Sequence, residues 1–278
     1  FKQSLCEANA VELVNHAVKS CLDIDKISQH GVSCLGNMAF NFSDGVTRMV
    51  NCGVIKTLES VLQTWINNAP VCEVTLVTMS NLMFRNDPVK ETLGLTCGDE
   101  VVEVVKTLAS NTKVVIAAMR ALGNLASLET NVMWMLENGA VSNLVFAMEH
   151  PANRDKHELV QTAIDVIGNL AAVEGGDEEH LDNDGDDSTA ASAESKKKSA
   201  HMAEIHQRIM VQGGVRGIIE AMKGPCSGDS AVLMSSLETL ASLSGVETLI
   251  VSNMIPLGLL EIILDTMKQY DWDSGIME

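Results

Sequence analysis

The chain repeats one short pattern five times, and this recurrence constrains its fold more than any other feature. The pattern is a small residue followed by an amide, inside an apolar stretch such as MRALGNLASLE (119–129). The amide is Asn37, Asn81, Asn124 and Asn169 in the first four copies, and Thr239 takes its place in the fifth. Successive spacings are 44, 43, 45 and 70 residues, and removing an acidic, Ser- and Ala-rich segment of 27 residues (174–200) from the last one restores the period.

Each copy predicts an amphipathic helix. The residues five and two before the amide, and one and two after it, are apolar in all five copies. They form one stripe of a helix with 3.6 residues per turn. In the third copy the stripe is Met119, Leu122, Leu125 and Ala126.

The residue before the amide is small in four copies, at Gly36, Ser80, Gly123 and Gly168. Gly and Asn are both unfavourable inside a helix, Gly by roughly 1 kcal/mol relative to Ala. We predict that the small residue offsets this cost by letting the next helix approach closely.

A second apolar pattern recurs between these helices, as in VIKTLESVL (54–62), and turn-forming residues such as Asn51 and Gly53 precede most of its copies. A further short element, such as NVMWMLEN (131–138), stands ahead of each copy of this second pattern. The order within one repeat is therefore the short element, the second pattern and then the amide-bearing helix. A period of about 40–47 residues with two long helices and one short helix is typical of an α-solenoid. Such units bury their apolar stripes only by stacking on their neighbours.

The sequence resembles the armadillo repeat family. The resemblance is carried by the [GS]-N-[LM]-[AM] signature of the amide-bearing helix and by the N-x-G-[VA]-[IV] start of the helix before it. It implies an all-α fold, a right-handed α-solenoid of about five to six armadillo-like repeats. We expect one domain over 1–278 with units at 1–43, 44–86, 87–129, 130–173, 201–245 and 246–270. The acidic segment 174–200 is expected to be a disordered insert because it has little apolar content, with Leu181 as its one large apolar residue.

The resemblance also implies a role for the amides. In armadillo proteins the third helix of each repeat lines a concave groove, where an Asn holds the backbone of an extended peptide. Asn37, Asn81, Asn124 and Asn169 would form such a row. An amide side chain both donates and accepts, so it matches a peptide N–H and C=O at once. The alternative is that each Asn caps a bend or binds the backbone of the neighbouring repeat.

A second row is expected on the same face, one helical turn before the amide. It contains Ser33, Val77, Arg120 and Asp165, and Gln161 lies one further turn away. This mixture suggests a ligand of mixed character. Arg120 either pairs with an acid of the partner or forms a salt bridge with Asp165 of the next repeat. Importin-α-like members carry Trp in this row, and here Trp occurs only at positions 65, 134 and 272, which argues against a nuclear-import function.

The formal net charge of −18 argues against a nucleic-acid-binding protein, which needs a cationic face, and weakly favours a basic partner. No apolar run approaches the roughly 18–20 residues that span a bilayer, and no secretory signal is visible. We therefore expect a cytoplasmic protein. Association with the cytoskeleton or a membrane through regions outside this sequence stays open.

The seven cysteines are odd in number and lack a C-x-x-C pair, so we expect buried small hydrophobes in a reducing compartment. The histidines show no H-x-x-x-H spacing, and DNDGDD (182–187) lacks the Gly and Glu positions of a calcium loop. No catalytic motif is found. We expect no cofactor, no metal and no enzymatic activity.

The implied function is that of a non-enzymatic scaffold or adaptor that binds partner proteins or extended peptides along the concave groove. Two alternatives use the same fold. One is a myosin-chaperone-like or GTPase-regulating protein that binds a globular client, and the other is a structural protein of the cilium or cytoskeleton. The partner, the cellular process and the oligomeric state stay open.

Overall fold

The computed structural model of the chain describes residues 1–172, 188–245 and 254–269, with the backbone alone for 188–196. Its regular elements are α-helices, and no β-strand occurs among the described residues. In chain order they are α1 (Lys2–Glu7), α2 (Ala10–Ser20), α3 (Asp25–Ala39), α4 (Ser43–Asn51), α5 (Val54–Trp65), α6 (Ala69–Met83), α7 (Asp87–Thr107), α8 (Thr112–Ala126), α9 (Glu129–Glu137), α10 (Ala140–Glu149), α11 (His157–Ala171), α12 (Ser188–Val211), α13 (Gly214–Lys223), α14 (Ser230–Leu243) and α15 (Leu259–Gln269).

Five helices carry the repeated pattern and are called the third helices from here on, because each is the last of its repeat. They are α3, α6, α8, α11 and α14, and they pack one against the next in that order. In the first pair, Thr78 bonds to the carbonyl of Val32 and Asn81 to that of Gly36. The bonds advance in the same direction along both helices, so α3 and α6 run parallel. Units of helices thus stack along one axis, as the repeat pattern predicts.

The predicted apolar stripe is buried in the first four copies, including all of Met119, Leu122, Leu125 and Ala126. The fifth copy differs, because Met234 is 37% exposed. No third helix follows α14 among the described residues, so nothing there covers this side chain.

Helix boundaries follow local side-chain chemistry. The Asn111 side chain accepts a hydrogen bond from the N–H of Val114 at 3.3 Å and starts α8. Asp229 does the same for α14 through Val232 at 3.0 Å. Such caps satisfy amide groups that have no partner inside the helix.

Most repeats have two helices ahead of the third helix, such as α4 and α5 or α9 and α10. In one repeat these two are joined into the single helix α7. In three other repeats a glycine separates them, at Gly53 with φ 77°, Gly139 with φ 70° and Gly213 with φ 85°, a left-handed conformation that glycine adopts without strain, and in the first repeat Asn9 with φ 58° takes this place. Asp99 and Glu100 stand ahead of the corresponding apolar stretch in α7, and the chain continues as a helix of 21 residues. The prediction of two separate elements is wrong in this repeat.

The insert predicted as disordered over 174–200 is described only in part. Its residues 188–200 are helical and form the N-terminal half of α12. This half is rich in Ala and Lys, which favour helices, and the helix is held by its C-terminal half, where Ile205 and Ile209 are fully buried. The remainder of the insert, residues 246–253 at the start of the last expected unit, and residues 270–278, which include Trp272, lie outside the described residues.

The cysteines are mostly buried, as predicted: Cys6, Cys72, Cys97 and Cys226 are buried and Cys34 is exposed. Burial raises the pKa of the Cys72 thiol to about 11 and that of Cys97 to about 12. These two thiols are therefore protonated and unreactive at neutral pH. Over the same described ranges, no helix combines the length and apolarity that crossing a bilayer requires.

Candidate functional site

The third helices line one open groove with a volume of about 640 Å³. Five of the predicted site residues meet there, namely Asn81, Asn124, Asn169, Arg120 and Asp165. The other four do not line it: Asn37 and Val77 are exposed, and Ser33 and Gln161 are half-buried, along the same helices. The remaining lining residues are Phe40, Asn41, Ser80, Phe84, Met119, Gly123, Thr162 and Val166.

Helical spacing brings the site residues to one side. Arg120 and Asn124 are four residues apart on α8, and Asp165 and Asn169 are four apart on α11. Residues at this spacing stand one above the other on the same face. The apolar stripe occupies the opposite face, so burying it leaves the amide row directed into the groove.

Two of the amides also hold neighbouring repeats together. Nδ2 of Asn81 donates to the carbonyl of Gly36 at 3.1 Å, and Nδ2 of Asn169 donates to that of Gly123 at 3.5 Å. The alternative role, binding the backbone of the preceding repeat, therefore holds for these two. Each still has an acceptor oxygen and a second N–H for a ligand. The side-chain amides of Asn37 and Asn124 make no hydrogen bond to the described part of the chain.

The small residue before the amide has the predicted packing role in two of the three glycine copies. A Cβ atom at Gly36 would lie 2.4 Å from Oγ1 of Thr78, and one at Gly168 would lie 2.7 Å from Oγ1 of Thr239. Both glycines are therefore needed for the close approach of the next helix. At Gly123 the nearest atom would be 3.5 Å away, which is ordinary contact, so the prediction is wrong there.

Arg120 pairs with Glu158 and not with Asp165. Its Nη2 lies 2.7 Å from Oε1 of Glu158, in the first turn of α11. Helical side chains lean towards the N-terminus of their helix, which carries Arg120 past Asp165. Both partners are more than half exposed, at 61% and 64%, so the pair contributes well under about 1 kcal/mol and a ligand can compete for either group.

Two exposed phenylalanines complete the groove, and the sequence reasoning missed them. Phe40 and Phe84 follow their amides by three residues, terminate α3 and α6, and are 55% and 58% exposed. Lys2 Nζ lies 5.5 Å from the centre of the Phe40 ring, and the Arg85 guanidinium lies 5.2 Å from that of Phe84. The shared register, NMAF and NLMF, was the available signal, but a Phe in an apolar stretch is ordinarily a core residue.

A smaller hollow of about 260 Å³ continues the groove between α11 and α14. Asp165 and Asn169 border both cavities, and Glu238 and Ser242 of α14 border the second one. Glu238 and Asp165 are both exposed. In the described ranges, no group of three or more His, Cys, Asp or Glu side chains could hold a metal ion.

No protein-family model matches the sequence, and no curated protein matches it. Solved structures do match its fold. An engineered protein superposes with a TM-score of 0.72 and 19% identity, over 96% of this chain and 93% of its own. A designed armadillo repeat protein in complex with the peptide (KR)4 gives a TM-score of 0.66 and 16% identity, over 87% and 85% of the two chains.

Computationally designed armadillo repeat proteins for modular peptide recognition give the same values as that complex, a TM-score of 0.66 at 16% identity over 87% and 85%. Identities this low establish the fold alone. The expected architecture, an all-α right-handed solenoid of armadillo-like repeats, is confirmed.

Proposed function

Starting from an armadillo-like repeat fold with one groove along its third helices, we propose that this chain is a non-enzymatic scaffold. It binds partner proteins through extended peptide segments that lie in the groove. The observation that carries the proposal is the placement of Asn81, Asn124 and Asn169 along one groove, on three successive stacked helices.

The spacing of the helices suits an extended chain. Packed helices lie about 8–10 Å apart, and an extended peptide rises about 3.3 Å per residue. One amide per repeat therefore meets the peptide backbone about every third residue. A donor and an acceptor on each amide can bond the peptide main chain whatever its side chains are.

Two further observations support this proposal. One of the similar structures is a designed armadillo repeat protein bound to a peptide, (KR)4. The net charge of this chain is −18, which favours a partner segment with basic residues. A cytoplasmic location and an adaptor role are part of the same proposal.

The test uses a phage library of random 12-residue peptides. It is panned against the wild-type chain and against a variant with Asn81→Ala, Asn124→Ala and Asn169→Ala. We expect enriched peptides with the wild type only. A hydrogen bond contributes about 1 kcal/mol net, so a synthesised peptide should lose about fivefold in affinity for each amide removed.

The matched control carries Asn51→Ala and Asn138→Ala, two exposed amides outside the groove, one at the last residue of α4 and one directly after α9. Its affinity should equal that of the wild type. Peptides that bind the triple variant as tightly as the wild type would place the site elsewhere. A partner that binds only as an intact folded domain, never as a fragment, would favour a globular client or a filament.

A further inference from the structure

The groove differs in chemistry between its two ends. One end, the aromatic end, consists of Phe40 on α3 and Phe84 on α6. The other, the acidic end, consists of Asp165 on α11 and Glu238 on α14. A ligand that crosses the groove meets both surfaces.

The aromatic end presents apolar surface to the solvent. Phe40 and Phe84 are each more than half exposed. Burying such side chains under an apolar ligand group is favourable by about 25 cal/mol per Å². Lys2 and Arg85 lie over the two rings, so a basic ligand residue is repelled from this end.

The acidic end has an uncompensated negative charge. Among the described residues, neither Asp165 nor Glu238 forms an ion pair. The nearest cation of the groove, Arg120, is already paired with Glu158. Because the end also borders the 260 Å³ hollow, a long cationic side chain can enter it beside the two carboxylates.

Helix spacing sets the distance between the two ends. The distance is counted from Phe84, the aromatic residue nearer to the acidic end: from α6, the helix α11 is two packing steps away and α14 is three. At about 8–10 Å per step, the separation is about 16–30 Å. An extended chain rises about 3.3 Å per residue, so about five to nine residues span this distance.

We infer that the groove selects peptides by a two-part pattern, an apolar or aromatic side chain at the aromatic end and a Lys or Arg about five to nine residues away at the acidic end. This inference rests on the proposed function and specifies its ligand. It also predicts discrimination against uniformly basic peptides, because these place a cation beside Lys2 and Arg85.

The same 12-residue library tests the pattern when it is panned against two groove variants. In Asp165→Asn with Glu238→Gln, the preference for a basic residue should disappear while the apolar position persists. In Phe40→Ala with Phe84→Ala, the apolar preference should disappear while the basic position persists. Both variants alter exposed side chains, so the fold is retained and circular dichroism verifies it.

Each variant has a matched control outside the groove. Glu91→Gln with Glu103→Gln removes two exposed acids of α7, and Leu95→Ala with Phe146→Ala removes two exposed apolar side chains of α7 and α10. One enriched peptide, labelled with fluorescein, then gives affinities by anisotropy. We expect about tenfold weaker binding to each groove variant, with the acid effect shrinking at high salt, and unchanged binding to the controls.

The outcomes separate this inference from the proposed function. Peptides that depend on the Asn row, yet bind both groove variants as the wild type does, would overturn the two-part pattern and leave the proposed function standing. Enrichment of uniformly basic peptides by the wild type would also overturn the pattern. A library that yields no binders at all would overturn both.

Discussion

The glycines before the amides provide a sharp test of how the repeats pack, through the matched substitutions Gly36→Ala and Gly123→Ala. Both sites are helix interiors, so replacing Gly by Ala gains about 1 kcal/mol of helix propensity at each. At Gly123 the new methyl group meets its nearest atom at 3.5 Å, and the gain is kept. We expect Gly123→Ala to stabilise the protein by up to about 1 kcal/mol.

At Gly36 the methyl group has no space. It would lie 2.4 Å from Oγ1, 3.2 Å from Cβ and 3.4 Å from Cα of Thr78. Thr78 is buried, and its hydroxyl donates to backbone carbonyls of Val74 and Val32. Relief therefore requires the helices to separate. Such overpacking costs about 1–3 kcal/mol, which exceeds the propensity gain in most of that range.

The assay is urea unfolding followed by circular dichroism at 222 nm, with the free energy of unfolding compared between variants. The free energy of unfolding of Gly123→Ala should exceed that of Gly36→Ala by about 1–3 kcal/mol. The first variant should be more stable than the wild type, and the second less stable. Gly168→Ala should fall between them, since only the Thr239 hydroxyl lies closer than 3.4 Å there. In the double variant with Thr78→Ala, Gly36→Ala should cost less than it does alone. A Gly36→Ala protein as stable as Gly123→Ala would refute the argument from close approach.

Three further predictions follow from other contacts. Nδ1 of His157 donates a hydrogen bond to the Asp229 carboxylate at 2.7 Å and lowers the pKa of that carboxyl, so the pair stabilises the fold above about pH 4 and this contribution is lost as the pH falls through the lowered pKa. Acid titration of Asp229→Asn should show a smaller loss of stability in this range. Asn153→Ala should lower the free energy of unfolding by about 2–4 kcal/mol in urea melts, because its buried side chain makes three hydrogen bonds. Iodoacetamide at pH 8 should label Cys34 and spare Cys97 until the protein unfolds, as mass spectrometry would show.

The period of the amide pattern, together with the two other recurring elements, was sufficient to predict the fold, because helical units of this length bury their apolar stripes by stacking on their neighbours. It also placed Asn81, Asn124 and Asn169 in one groove. The spacing of residues along a helix does not determine how far a long side chain reaches. For this reason the pairing of Arg120 with Glu158 was not predicted. The continuous helix α7 could have been predicted from Asp99 and Glu100, because three other repeats have a glycine at this point.

The exposure of Phe40 and Phe84 could not be predicted from the sequence, because it depends on which residues of the neighbouring repeats cover them. Burial is a property of neighbouring repeats, and the third copy has Ser127 at the equivalent position, where the chain leads into α9. An apolar residue at a helix end is exposed only if the next repeat leaves it uncovered. The sequence of one repeat does not contain that information.

The repeat interface and the groove share their residues, and this bears on how binding should be measured. Asn81 and Asn169 are oriented by bonds to the preceding repeat before any ligand arrives, so little side-chain entropy remains to be lost on binding. The same bonds mean that substituting either residue perturbs the stacking of the helices as well as the groove. Asn124 lines the groove without such a bond to the described residues, so its removal should change binding while leaving stability almost unchanged. A loss of affinity at Asn124 is therefore the cleanest sign that a ligand contacts the amide row.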